Sequence, residues 1–143
     1  MNLKRSLVLF SLILLIVSTF GLTATAAAVR SSPVLNYTDA TLSAEGSGIM
    51  HVEVTVVARG TYDEVGITEL YIEKKVGSVW REHATWTLDD HSEFMWEDTA
   101  AYLEDFYFDG SIGTTYRVTA YSYARNGSVS GTGQHTSAEV TCR

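Results

Sequence analysis

The chain is 143 residues long and carries 17 Asp and Glu against 10 Lys and Arg, a formal net charge of −7. That surplus excludes nucleic acid and an anionic bilayer surface as partners, because both are held through a basic footprint. The single cysteine, Cys142, excludes an internal disulfide, so stability must come from core burial; the thiol, next to last in the chain, reads as free and frayed, with a bridge to a second chain as the alternative.

Met1 to Ala28 has the parts of a secretory signal: Lys4-Arg5 at the start, an apolar run from Leu7 to Leu22, and small residues at Ala24-Thr25-Ala26 or Ala26-Ala27-Ala28 for cleavage. An uncleaved anchor is the alternative, since the apolar run nears spanning length. Removal after Ala28 leaves residues 29–143, an ordinary size for one domain. The mature domain is more acidic than the whole, because every Asp and Glu follows position 28. On this reading the protein is secreted and leaves the membrane once cleaved.

Ala40, Leu42 and Ala44 alternate as a weak edge strand that ends at Glu45-Gly46-Ser47-Gly48. Met50, Val52, Val54, Val56 and Ala58 then face one way, with His51, Glu53 and Thr55 facing the other, the clearest internal strand of the chain. Arg59 to Gly66, with Gly60 and Gly66 around Asp63-Glu64, predicts a loop. Leu70 and Ile72 mark a strand that turns near Val76-Gly77-Ser78 and returns as 79–88. On that return the spacing puts Trp80, Glu82, Ala84 and Trp86 on one face and Arg81, His83 and Thr85 on the other, so the two tryptophans form either core or a surface platform. Asp89 to Asp109 mixes acidic and aromatic residues without one Lys or Arg; short strands are expected at Phe94–Trp96 and Leu103–Phe108, or a helical turn at Ala100–Leu103.

Gly113 to Gly133 predicts a hairpin. Tyr116, Val118 and Ala120 alternate with Arg117, Thr119 and Tyr121, and Asn126-Gly127 suits a tight turn. That turn leaves Thr136, Ala138 and Val140 one residue out of phase, which predicts a bulge near Gly131-Thr132-Gly133. Corrected in that way, Ala138 would lie opposite Tyr116. About seven short strands and no long helix indicate an all-β antiparallel β-sandwich of immunoglobulin or fibronectin type III kind. Tyr116 enters the penultimate strand where such folds keep a tyrosine whose hydroxyl bonds back to the backbone.

The run ITELYIEKKVGSVWREHATW and the later GTTYRVTAYSYARNGSVSG resemble small secreted single-domain proteins of Gram-positive bacteria. The matching residues are Lys74-Lys75, Gly77-Ser78-Val79-Trp80 and Thr115-Tyr116-Arg117-Val118. The resemblance implies an exported β-sandwich with no assigned activity, and so carries no catalytic residue over. The stretch from Asp89 to Asp105 is longer than that family leads one to expect.

Motifs of common enzymes are missing: there is no Gly-x-Ser-x-Gly, no His-Glu-x-x-His and no phosphate loop. Among the histidines only Asp90, His91 and Glu93 cluster. Asp89, Asp90 and Glu93 are the candidate ligands should the acidic stretch hold calcium, the one cofactor considered, and paired carboxylates in 89–109 would be needed by a glycosidase. Flat rings make the stronger case: Tyr121 and Tyr123, with Trp80 and Trp86, are candidates to stack on sugar. The expectation is a non-enzymatic surface or extracellular module binding a protein, with a carbohydrate-binding module as the alternative.

Overall fold

The computed structural model describes residues 32–143, so the expected signal segment lies outside the described residues. The described chain is all-β, with seven antiparallel strands: β1 Leu35–Gly46, β2 Ile49–Val76, β3 Val79–Thr87, β4 Met95–Asp109, β5 Thr115–Asn126, β6 Val129–Thr136 and β7 Val140–Thr141. β2 pairs with β1, β3, β4 and β5, while β6 and β7 pair with β5.

The segment 59–66 is strand, not loop. β2 advances from Val57 to Tyr62 while its partner β4 goes only from Ala101 to Thr99, and setting Ala58 to Thr61 against Ala100 alone bends the strand. Gly66, one of the two glycines that suggested a loop, has another use. A Cβ on Gly66 would run into the carbonyl oxygen of Phe94, so Gly66 is what lets β4 approach.

The bend divides β2 into two working halves. Residues 49–58 lie between β1 and β4, and residues 69–76 between β3 and β5. The buried side chains are Met50, Val52, Val54, Val56 and Ala58, then Val65 and Ile67, then Leu70 and Ile72. Each switch between even and odd numbering coincides with a register irregularity, the first at 57/62 against β4 and the second at 67/69 against β5. A period-two pattern can change phase only where a residue is inserted, so the irregularities keep one face apolar along the whole strand.

Folding at the bend brings β1 against β5 and β6. The Thr38 and Ser122 hydroxyls are 2.8 Å apart, and the Ala40 N–H donates to His135 Nδ1 at 3.0 Å. On the opposite side β4 covers β3, where Phe106 meets Trp86 edge-on at 6.4 Å and Phe108 meets His83 at 5.8 Å. The core between them includes Tyr102, Phe94, Tyr116, Val118 and Ala120. Each large apolar side chain removed from water there contributes about 1.5–3 kcal/mol. The stretch expected as two short strands or a helical turn is the single strand β4.

The β5–β6 hairpin closes on Asn126 opposite Val129, so its two-residue turn is Gly127-Ser128, one position later than Asn126-Gly127, with Gly127 at φ 56°. Register then runs unbroken to Thr119–Thr136, and no bulge occurs at Gly131–Gly133. Those glycines make room instead: a Cβ at Gly131 would meet Val34 and Ser32, and one at Gly133 would meet the Ser122 hydroxyl. The one-residue offset lies farther on. The Ser137 N–H bonds to the Val118 carbonyl, yet Val140, not Ala138, pairs with Tyr116, which leaves Ala138-Glu139 as the inserted stretch.

The C-terminus is tied down rather than frayed. Cys142 donates its N–H to Thr114 and accepts from Gly113, and Arg143 accepts from Gly48. The Cys142 side chain is 1% exposed within the core. Tyr116 is fully buried beneath it, and its hydroxyl accepts the Ser111 N–H at 2.9 Å, a bond to the backbone just upstream.

Candidate functional site

Two outer sheet faces carry the candidate chemistry. The larger is formed by β3, the second half of β2, β5 and β6, and its composition follows from one inserted residue in β3. Ile72 pairs with Ala84, but the next residue, Glu73, pairs with Glu82, so His83 is extra. The bulge turns His83 inward, where it lies 5.2 Å from the Tyr116 ring, and it reverses the phase of the strand on either side.

Trp80 and Trp86 therefore lie on opposite faces. Trp86, opposite the buried Leu70, packs inward against Phe106 and His91. Trp80, opposite Lys75, remains outside, where the Arg117 guanidinium lies 4.3 Å from its ring centre and the Lys75 ammonium 5.3 Å. Glu73 holds Arg117 at 2.7 Å and Glu139 holds Lys75 at 2.9 Å, so the cations over Trp80 are themselves fixed. The Glu73 carboxylate also raises the Arg117 pKa further. The four-residue platform expected from spacing does not assemble.

Tyr121 and Tyr123 are half-buried on this outer face. Tyr121 lies between Glu69 and Gln134, and Tyr123 between Gly66 and Thr132. Tyr71, which sequence reading passed over, joins them, opposite Thr119 and Thr85. Its phenol pKa is raised by burial first and then by Glu82, Glu73, Tyr121 and Glu69 around it. The buried Thr119 hydroxyl lies 2.8 Å from that of Thr136, at one edge of this row of tyrosines. Such a strip can stack on an apolar ring face and hydrogen-bond at its edges. Alternation in β2 gives Tyr71 the outward phase of Glu69 and Glu73, the signal from which it was legible.

At the end of the strip, Arg125 fixes the β5–β6 turn. It donates from Nε and Nη2 to the two oxygens of Glu64, each at 2.9 Å, and from Nη1 to the Gly127 carbonyl, while Gly127 donates its N–H to Asp63. These bonds hold the Glu64 carboxyl below the usual glutamate range. Asn126 and Gly127 are thus positioned by the acidic pair that had suggested a loop.

Asp89, Asp90 and Glu93 do not gather into a cation site. Asp90 accepts from the Thr87 hydroxyl at 3.1 Å, Glu93 pairs with His91 at 2.8 Å, and Asp89 is exposed. The bond from His91 lowers the Glu93 pKa. Among the described residues no three His, Cys, Asp or Glu side chains converge as metal ligands.

The second face belongs to β1, the first half of β2 and β4, and it brings together residues that sequence reading kept apart. Ser43, His51 and Tyr107 lie in one cross-strand row, flanked by Glu45 and Asp105. His51 Nε2 is 2.7 Å from Asp105, and Nδ1 is 3.6 Å from Glu45 and 3.4 Å from the Ser43 hydroxyl. The glycines at 46 and 48 make the β1–β2 turn and so predict Ser43 near His51, but nothing local predicts Asp105.

Comparison of the chain with family models, with curated proteins and with solved structures finds no match.

Proposed function

We propose that this is an exported, non-enzymatic module of immunoglobulin-like sandwich type that binds an extracellular partner through the outer face of β3, β2, β5 and β6. Kinship with small secreted proteins of Gram-positive bacteria is part of the same proposal. The reading is supported by one observation above others: Tyr71, Tyr121 and Tyr123 share a strand face on which Thr85, Thr119, Glu69, Gln134, Gly66 and Thr132 are their cross-strand neighbours. Rings and hydroxyls spread along one strand face suit a broad contact better than they suit a reaction, which needs groups converging on one atom.

The rings also favour glycan as the second reading, because a sugar's apolar face stacks on tyrosine while its hydroxyls meet groups such as Gln134 and Glu69. In this version Tyr71 takes the place of the tryptophans in the platform. A glycan array and a pull-down from extracellular material, each run with the wild type and with Tyr121→Ala/Tyr123→Ala, separate the readings. Protein capture that disappears in the double variant supports the first, and glycan retention that disappears supports the second. Binding of either kind that survives the double variant refutes this face as the contact surface.

A further inference from the structure

The geometry points to a surface site for a first-row divalent cation of the zinc class, with His51 and Glu45 as ligands, Ser43 as an oxygen neighbour and Asp105 as the group that orients the imidazole. It is separate from the calcium expectation at Asp89, Asp90 and Glu93, and it lies on the opposite side of the molecule from the tyrosine strip.

The argument starts with the two ring nitrogens. At 2.7 Å from Asp105, Nε2 is the protonated nitrogen, donating to a carboxylate. Nδ1 is then the ring nitrogen left to meet a cation. Nδ1 faces the Glu45 carboxylate at 3.6 Å, too long for a hydrogen bond. The Ser43 hydroxyl donates to Glu45 at 2.9 Å and makes only a long contact of 3.4 Å with Nδ1. A lone pair and an anion thus face one another across a gap that only a positive charge makes favourable.

The gap has the size such a charge requires. Two ligands at about 2.0–2.1 Å from zinc in a tetrahedral arrangement stand roughly 3.3 Å apart. The three separations among Nδ1, the Glu45 oxygen and the Ser43 oxygen are 3.6, 3.4 and 2.9 Å, bracketing that value. Water would complete the coordination. A carboxylate on the far nitrogen is the usual companion of a metal-bound histidine, because it sets the tautomer and strengthens the ligand. The Tyr107 ring, stacked on the imidazole at 4.8 Å with an 18° tilt, limits its rotation. An imidazole ligand favours zinc or copper over calcium or magnesium, which take oxygen.

The other histidines differ from it. His135 Nδ1 also faces a carboxylate, Asp39 at 3.1 Å, but is already occupied by the Ala40 N–H; His91 Nδ1 is at hydrogen-bond distance from Glu93, and His83 is turned inward against Tyr116. His91 and His135 therefore serve as controls.

The test is a calorimetric titration of the whole protein with zinc chloride at pH 7.5 in a buffer that does not bind metal, alongside NMR of the histidine ring protons. The expected result is one saturable equivalent, with the His51 signals shifting first. Binding should be lost in His51→Gln, weakened at least tenfold in Glu45→Gln and about tenfold or more in Asp105→Asn, and unchanged in His91→Gln and His135→Gln. All of these positions are at the surface, and the wild-type NMR shifts decide the matter even if a variant misfolds. Absence of saturable binding up to about 1 mM zinc would overturn the proposal. Binding that persists in His51→Gln, or disappears in His91→Gln, would overturn it too.

Discussion

The two outer faces of this molecule treat charge in opposite ways. On the face of β3, β2, β5 and β6, Glu73 is paired with Arg117, Glu64 with Arg125 and Glu139 with Lys75. On the face of β1, β2 and β4, Asp39, Glu45, Glu53, Asp105 and Asp109 occur in strands without one Lys or Arg, and Glu53 lies directly across from Asp105. Like charges in a cross-strand pair oppose one another. The lesson is that acidic composition does not by itself produce an acidic surface. One face pairs three of its carboxylates with Lys or Arg and spends exposed area on rings and hydroxyls, while the other has only histidines beside its carboxylates.

The largest expected effect tests the junction that keeps the faces distinct. Gly66→Ala pushes a Cβ into the Phe94 carbonyl, where no flexible side chain can move aside. A loss of about 3 kcal/mol or more, measured by urea unfolding, is expected. A variant as stable as wild type would show that β4 is free to shift along β2.

Next comes neutralisation on the paired face. Arg125→Met leaves Glu64 and Asp63 without their cation and should lower the urea midpoint by less than Gly66→Ala does. The same pair predicts a pH dependence. Folding lowers the Glu64 pKa, so its contribution is complete above the unfolded-state value and fades as pH falls through the folded-state one. Wild type should therefore lose more stability than Arg125→Met between pH 5 and the acid limit of about 3. Parallel curves would remove Glu64 from the account.

Arg117→Ala asks whether Trp80 is held by its cation. Its removal should cost about 0.5–1 kcal/mol and shift the tryptophan emission to the red, because the ring then meets water. An unchanged spectrum would mean that the guanidinium shields nothing. The smallest effect is expected at Tyr102, buried beneath the acidic face with its hydroxyl lacking a hydrogen-bond partner. Burial pushes that phenol's pKa far up. Tyr102→Phe should be neutral or stabilising by up to about 1 kcal/mol in thermal unfolding.

What was legible in the sequence was whatever alternation alone decides. Met50 to Ala58 and Tyr116 to Ala124 face the core as their spacing says. Where a residue is inserted, alternation misleads: His83 puts Trp80 and Trp86 on opposite faces, and the final phase shift sits at Ala138-Glu139 rather than at the glycines. Glycine was misread three times for one reason. Gly66, Gly131 and Gly133 are needed because another chain segment passes close by, and no local pattern reveals a neighbour distant in sequence. The same blindness hid the candidate cation site, whose Ser43 and His51 share a hairpin but whose Asp105 is contributed by a strand far along the chain.

The uninterrupted course of β2 sets how this molecule opens. Four of its six strand pairings include β2, so neither half of the sheet can separate while the other stays intact. Hydrogen exchange should then find one slow class of amides running from Val52 to Ile72, across the bend, released only when the whole molecule unfolds. Faster exchange is expected where β2 takes no part, in β6 from Val129 to Thr136.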